Sequence, residues 1–445
     1  MRDIRLSKEM GFNGASKHHK IEAPRYPYHA DRMGFLVWTE VVLRDYNHPC
    51  IVAWVPLNES CGVDVVMSNR EEQAHSQVMY YLTESRLGAL STPSSAMWSR
   101  RPTGFSHTGG GPRFRWRSFG GSMKEGANQM TEVITMGETM VCFSPDTPAP
   151  LRYVDHYHRR IAGAESNLAI GLSKLGHRAA WVSRLGDDEF GRYVQNAVRA
   201  EGVDTGAVRF DGENPTGLMF KETSRGETRV YYYRKGSAAS AMRPEDLDES
   251  LFREAKLLHL TGITPVLSDS CRDTVFYAVE LAEKYGLKIS FDPNIRRKLW
   301  GDRDYSPLIR ELCGRCHILM IGREEAEALY REAEPEALFW WVFSEGNRVE
   351  AVVVKDGANG AWAADCAGAV FLEPVPCRCV DPIGAGDAFN AAFLAGVLEG
   401  RTLEDCGRMG AVAGAMATET DGDTEGYPDR RKLESMLNNR EEFYR

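Results

Sequence analysis

The chain has 445 residues, too many for one average domain and enough for two or three that each bury a core. Charged residues make up 26% and hydrophobic residues 43%, an ordinary globular balance, and no apolar stretch approaches the roughly 20 residues that a membrane span requires. A net charge of −9 argues against a general nucleic-acid binder, and the opening MRDIRLSKEMGFNG lacks a secretory apolar core, so a cytoplasmic location without membrane partners is expected.

Residues 1–90 carry short apolar runs, Phe35 to Trp38 and Ile51 to Val55, each followed by polar residues in the manner of strands feeding loops. Between Ser91 and Gln129 the pattern collapses into clustered Gly, Ser, Pro and Arg, which predicts a disordered linker. Its Arg113, Arg115 and Arg117 interleave with Phe114 and Trp116, a pattern open to nucleic-acid contact. The acidic whole favours a solvated tract instead.

After Met130 the texture changes. Apolar runs at Val133–Met136, Ala179–Val182, Leu257–Leu260, Lys288–Phe291, Ile318–Ile321 and Ala351–Val354 alternate with amphipathic segments such as Asn167–Leu175 and Arg272–Tyr285. This predicts an α/β domain over 130–445 with a doubly wound sheet. Leu218–Glu222 and Thr228–Arg234 alternate around Ser-Arg-Gly, out of step with that rhythm, and predict a small β-flap over the site. Of the ten cysteines, only Cys313 and Cys316 have a Cys-x-x-Cys spacing, with no second pair to complete a zinc site, so structural thiols are expected.

The chemistry concentrates in DPIGAGDAF, Asp381 to Phe389, followed by an apolar helix-like run to Leu398. Small residues let the N–H groups of Gly384, Ala385 and Gly386 converge on an oxyanion at the positive end of a helix. Asp387, at the lip of this cradle, is placed to take the proton from an attacking hydroxyl during phosphoryl transfer. The alternative is a Gly-Ala-Gly turn that only joins strand to helix. Gly163 and Asn167 fall where a bare backbone and an amide would meet sugar hydroxyls, or simply where a helix begins. Tyr232 and Arg234 alternate onto one face of the flap, toward a ligand or along an exposed β-edge. Arg234 and Arg296 are the planar cations suited to a substrate carboxylate; the alternative for Arg296 is pairing with a surface acid. No GxxxxGK[ST] loop is present, since GLSKLGHR has His177 where lysine would stand.

From Met130 onward the chain resembles the ribokinase-like, phosphofructokinase B type sugar kinases, and among them the 2-keto-3-deoxygluconate kinases. The resemblance rests on DPIGAGDAF together with AGAESNLAIGLSKLG, SRLGDDEFGRYV, PTGLMFKE, YYYRKGSAAS, LHLTGITP, FDPNIRRKLW and GREEAEAL, in order. It implies an ATP- and Mg²⁺-dependent kinase for a small-molecule sugar acid, with Asp387 as base and Gly384 to Asp387 as the anion hole. It also implies Asp381, Gly163, Asn167, Tyr232, Arg234 and Arg296 at the substrate, Asp423 as a further contact, and Asn294, Lys355, Gly357 and Gly360 at the nucleotide. Glu325 is implied near the metal through ordered water, although relatives keep an asparagine where Gly322 stands. Flap strands that pair between subunits imply a homo-oligomer. The rival readings are a kinase for fructose or another neutral sugar, and a catalytically silent sugar-binding protein of the same fold.

The strings GFNGASKHHKIEAPRYPYHADRMGFLVW and RDYNHPCIVAWVPLNES resemble the β-galactosidase and β-glucuronidase family of glycoside hydrolases. That resemblance implies an acid/base role for Glu59 beside Asn58 on an incomplete TIM-barrel-like fragment. The chain supplies neither the second carboxylate nor the roughly 250-residue barrel that such chemistry needs, so no glycosidase activity is expected.

Overall fold

The computed structural model describes residues 14–16, 36–39, 51–54 and 131–438, apart from 225–226, 333 and 344–346. The chain divides into two compact units, residues 1–114 with 364–369, and residues 115–363 with 370–445. In the first, β1 (Gly14–Ser16), β2 (Leu36–Thr39) and β3 (Ile51–Trp54) form a parallel sheet in that order. The apolar runs expected near 35 and 51 are the last two of these strands. The remainder of the barrel-like fragment, with Asn58 and Glu59, and the expected linker at 91–129 lie outside the described residues.

The second unit is built on β4 (Val133–Met136), β7 (Ala179–Gly186), β8 (Val208–Asp211), β11 (Leu257–Thr261), β12 (Lys288–Asp292), β13 (Ile318–Gly322) and β14 (Ala351–Lys355). They lie in the order β14-β13-β12-β11-β4-β7-β8, every neighbouring pair parallel, and β15 (Ala361–Asp365) and β16 (Gly368–Leu372) continue the sheet beyond β14. Sequences such as VITM, ILMI and AVVV are buried along their length, as a sheet covered on both faces requires. Strand order reverses between β4 and β11, which opens a crevice at the carboxyl ends of the strands.

Five helices frame that crevice and its surroundings: α1 (Ala164–Lys174), α2 (Asp269–Tyr285), α3 (Arg323–Tyr330), α4 (Ala385–Leu398) and α5 (Leu403–Ala417). The longest, α2, starts where Ser268 Oγ accepts the Cys271 N–H and stops at Gly286 in the left-handed region, φ +73°. Apart from Asp387 and Asn390 near its start, helix α4 is apolar, because it is enclosed between α1 and α5. Its contact with α1 needs a glycine, since a Cβ on Gly171 would stand 2.6 Å from the Ala391 Cβ.

The expected two-stranded flap is half of a four-stranded sheet. β9 (Leu218–Ser224) and β10 (Glu227–Tyr233) are joined by β5 (Met140–Pro145) and β6 (Tyr157–Ala162) in the order β10-β9-β5-β6. Phe143 stacks on Phe220 with ring centroids 4.9 Å apart and meets Phe190 edge-on, so aromatic contacts seat this lid on the helix that carries Phe190. Strand β10 ends at Tyr233, so Arg234 follows the lid rather than lying within it. Cys313 and Cys316 are buried, and the Cys316 thiol donates to the Cys313 carbonyl at 3.2 Å, a packing role.

Phe393 has no exposed surface in the core around α4. Phe393→Ala is expected to lower unfolding stability by about 3–5 kcal/mol in chemical denaturation, with the denaturant slope unchanged.

Candidate active site

The loop Asp381 to Gly384 turns sharply into α4. Gly384 takes φ +83°, and a Cβ there would lie 2.1 Å from the Asp423 carbonyl oxygen, so conformation and space both require glycine. The Tyr427 hydroxyl donates to the Gly384 carbonyl at 2.8 Å, and the Ala388 N–H donates to the same oxygen at 2.9 Å. The amides of Ala385, Gly386 and Asp387 therefore precede the first intrahelical hydrogen bond. Ala385 makes only a long 3.4 Å contact, to the Pro382 carbonyl. Gly386 is open, and a Cβ there would have only the Lys355 ammonium within reach, at 3.8 Å. A bare helix start beside a lysine is suited to a phosphate.

Asp387 stands in the first turn of α4, half-buried, and its Oδ2 accepts the Asn167 Nδ2–H at 2.9 Å. Asn167 lies one turn into α1, whose start packs so closely that a Cβ on Gly163 would be 2.5 Å from the Glu138 carbonyl oxygen. The Asn167 Oδ1 is buried and has no hydrogen-bond partner among the described residues, which leaves an acceptor unused beside Asp387. Burial pushes the Asp387 carboxyl up to about 7. Asp292 and Asp423 add to the rise, while the Asn167 hydrogen bond and Lys355 oppose it.

Two ion clusters flank Asp387. In one, Asp292 Oδ2 accepts Lys355 Nζ at 2.7 Å and Asn390 Nδ2 at 2.6 Å, while Lys355 also donates to Asn390 Oδ1 at 3.1 Å. Burial works against the Asp292 charge, but Lys355 and Asn390 outweigh it and hold the carboxyl below its usual range. Asp292 Oδ1 accepts the Asn294 N–H at 3.0 Å, which closes a turn with Asn294 at φ +38°, a conformation asparagine tolerates. In the other cluster, Lys221 Nζ reaches in from β9 to Asp381 Oδ2 and Asp423 Oδ1, each at 3.1 Å. Lys221 is 3% exposed and both carboxylates are buried.

Several expected site residues are committed elsewhere within the protein. Asp381 and Asp423, expected at the substrate, have all four carboxylate oxygens engaged: besides Lys221, Asp381 Oδ1 accepts the Ile383 N–H at 3.0 Å and Asp423 Oδ2 accepts Asn167 at 3.4 Å. Glu325, expected near the metal, brackets backbone instead. Its Oε1 accepts the Ile295 N–H at 2.6 Å and its Oε2 the Gly322 N–H at 2.9 Å, which caps α3 and steadies the Asn294 turn. Gly357 and Gly360 form a turn after β14 at φ +53° and +95°; Gly357 faces open space, and Gly360 lies against the Leu372 carbonyl. Arg296 is exposed just beyond β12. Tyr232 is exposed, with the Arg234 guanidinium 5.9 Å from its ring centroid.

Arg234 forms a buried ion pair with Glu138, whose Oε1 accepts the Ser237 hydroxyl at 2.6 Å. The Arg234 Nε–H is buried and without a hydrogen-bond partner among the described residues. Sequence reasoning did not single out Lys221, Glu138, Asp292 or Asn390. Asp292 and Lys221 lie within the quoted FDPNIRRKLW and PTGLMFKE, and Asn390 directly follows DPIGAGDAF, so the residues were visible but their pairing was not.

The family model for pfkB family carbohydrate kinases matches residues 130–430, and the chain belongs to that family. A 2-dehydro-3-deoxygluconokinase of Bacillus subtilis (strain 168) is 36% identical over 310 residues, covering 69% of this chain and 95% of the relative. The crystal structure of a PfkB protein from Polaromonas sp. JS666 superposes with a TM-score of 0.63 at 35% identity, covering 68% of this chain and 99% of that one. That of a provisional ribokinase II from E. coli in complex with ATP and Mg²⁺ gives 0.64 at 25% identity, covering 70% and 100%.

A base at Asp387 must be ionised, so kcat/KM should fall as pH drops through an apparent pKa of about 7. The same carboxyl binds its proton more tightly folded than unfolded. Its stabilising contribution is complete below the ordinary aspartate range and is lost as pH rises through about 7. Thermal melts from pH 5 to 8 should therefore show the protein losing stability relative to Asp387→Asn.

Proposed function

We propose that the chain phosphorylates 2-keto-3-deoxygluconate on its terminal hydroxyl with ATP, giving the 6-phosphate. The observation that carries this is the placement of Asp387, hydrogen-bonded to Asn167, in the first turn of a helix that starts beside the Lys355 ammonium. Asn167 Oδ1 holds the acceptor hydroxyl, Asp387 takes its proton, and the amides of Ala385 to Asp387 stabilise charge on the migrating phosphoryl. Lys355 adds a positive charge on the same side while fixed by Asp292.

The residues fit ATP and Mg²⁺. Gly386 at the start of α4 and Gly357 in the turn after β14 leave backbone open for phosphates, with Asn294 tied to Asp292 at the end of β12. Among the described residues no group of three acidic, histidine or cysteine side chains could cage a metal, so the ion would be held chiefly by phosphate oxygens and water. When bound, it neutralises charge between the phosphates. The E. coli relative crystallised with ATP and Mg²⁺ supports both groups.

Specificity for the acid rests on Arg234, whose buried Nε–H awaits an acceptor, with Arg296 and Tyr232 as further contacts. The Bacillus subtilis relative supports the same substrate. A cytoplasmic enzyme is the reading that accompanies it; among the described residues no helix is long and apolar enough to cross a membrane. Tyr231, Tyr232 and Tyr233 lie exposed along the lid's edge strand, the surface on which a lid-to-lid homo-oligomer would form. The first 90 residues remain, on this reading, a hydrolase-derived fragment without a catalytic role.

Asp387→Asn is expected to bind both substrates and lose about 10²–10⁴-fold in kcat in a coupled ADP-release assay; wild-type turnover would remove Asp387 as base. Arg234→Gln and Arg296→Gln should each raise KM for 2-keto-3-deoxygluconate far more than for fructose. Equal effects on the two sugars would favour a neutral-sugar kinase.

A further inference from the structure

Among the described residues of the lid strands, Arg160 of β6 pairs with Asp421 and Glu425 on either side of Asp423, whereas Lys221 of β9 reaches the carboxylates beside the catalytic loop itself. It leaves β9 and ends between Asp381, at the start of DPIGAGD, and Asp423, in the loop whose carbonyl packs on Gly384. Asp423 in turn shares the Asn167 Nδ2 with Asp387, at 3.4 Å against 2.9 Å. A continuous chain of contacts therefore runs from the lid to the base: Lys221, Asp423, Asn167, Asp387.

We infer that Lys221 is a positioning residue for phosphoryl transfer: by neutralising Asp423 it keeps the Asn167 amide on Asp387, so that proton uptake by Asp387 depends on a seated lid. The inference rests on the reading of Asp387 as base. Two carboxylates, Asp381 and Asp423, converge on one buried ammonium, and burial alone would drive that ammonium neutral. Asp423 and Asp381 reverse the effect and hold it charged.

Without the ammonium, Asp423 keeps only Asn167 as a side-chain donor among the described residues, and its carboxylate competes with Asp387 for that amide. An uncompensated charge at Asp423 also opposes ionisation of Asp387. The groups facing Asp387 are Asp292, Lys355, Asp423, Asn167 and Tyr427; those facing Asp423 are Lys221, Asp381, Asn167 and Tyr427, with Cys142 beside Lys221. Of these, only Lys221 comes from the hairpin strands of the lid, so it alone makes the state of Asp387 sensitive to that hairpin's position.

The test is the pH dependence of kcat for the full chain with saturating ATP and 2-keto-3-deoxygluconate. Lys221→Met should move the acidic limb upward by about one unit, so that kcat at pH 6 falls about tenfold more than kcat at pH 9. The double variant Lys221→Met/Asp423→Asn, which removes the uncompensated charge, should return the limb to its wild-type position. A wild-type limb in Lys221→Met, with only a lowered melting temperature, would overturn the inference and leave Lys221 a structural clamp. If Lys221→Met does not fold, the double variant decides, and a raised limb there overturns the proposal. Asp387→Asn separates the two levels: retained turnover sinks the base itself, whereas a dead Asp387→Asn beside an unshifted Lys221→Met sinks only the role of Lys221.

Discussion

The site depends on a close approach between two backbones. Gly384 sits in the left-handed region with the Asp423 carbonyl where a side chain would begin, and this contact sets the direction in which α4 leaves its loop. Because α4 starts there, its first-turn amides and the Asp387 carboxylate lie on one helix start, with the Lys355 ammonium beside Gly386. The rest of α4 is buried among α1 and α5, so that start is anchored by core packing rather than by loop conformation. On the reading proposed above, anion binding and proton abstraction would both belong to one helix start.

Electrostatics then divides the labour. Asp387 lies between two ion clusters, Asp292 with Lys355 and Asn390, and Lys221 with Asp381 and Asp423. Each cluster ties separate segments of the chain together through a buried charge that would be costly alone and is tolerated only because its partner is fixed. Among the described residues Asp387 itself has an amide but no cation in direct contact, and burial pushes its carboxyl up to about 7, the range that would suit a base. Glu138 does the comparable service for Arg234, holding the guanidinium in place with one N–H still unmatched.

Much of the fold is legible in the residue pattern. Val133–Met136 is a strand with the bounds its apolar run suggests, and the runs at 257, 288, 318 and 351 each extend one residue further in the structure. Such strands are buried on both faces, so burial writes itself into consecutive residues. The lid shows only half of itself in this way: Leu218 and Thr228 open a visible hairpin, whereas β5 and β6 carry mixed sequences, MVCFSP and YHRRIA, whose strand character comes from pairing with that hairpin. Likewise Glu325 carries the same local signature as a metal-site glutamate, and its engagement with the Ile295 and Gly322 amides is visible only in three dimensions.

By itself the sequence determined the parallel-sheet class, the glycine-rich turn into an apolar helix and the acid at Asp387, because these follow from neighbours along the chain. Tertiary structure alone decided which charges neutralise one another. Lys221 and Asp423 lie 202 positions apart, and Asn167 and Asp387 lie 220 apart. Attraction between such groups depends on distance and burial through space, quantities that no local spacing of residues encodes.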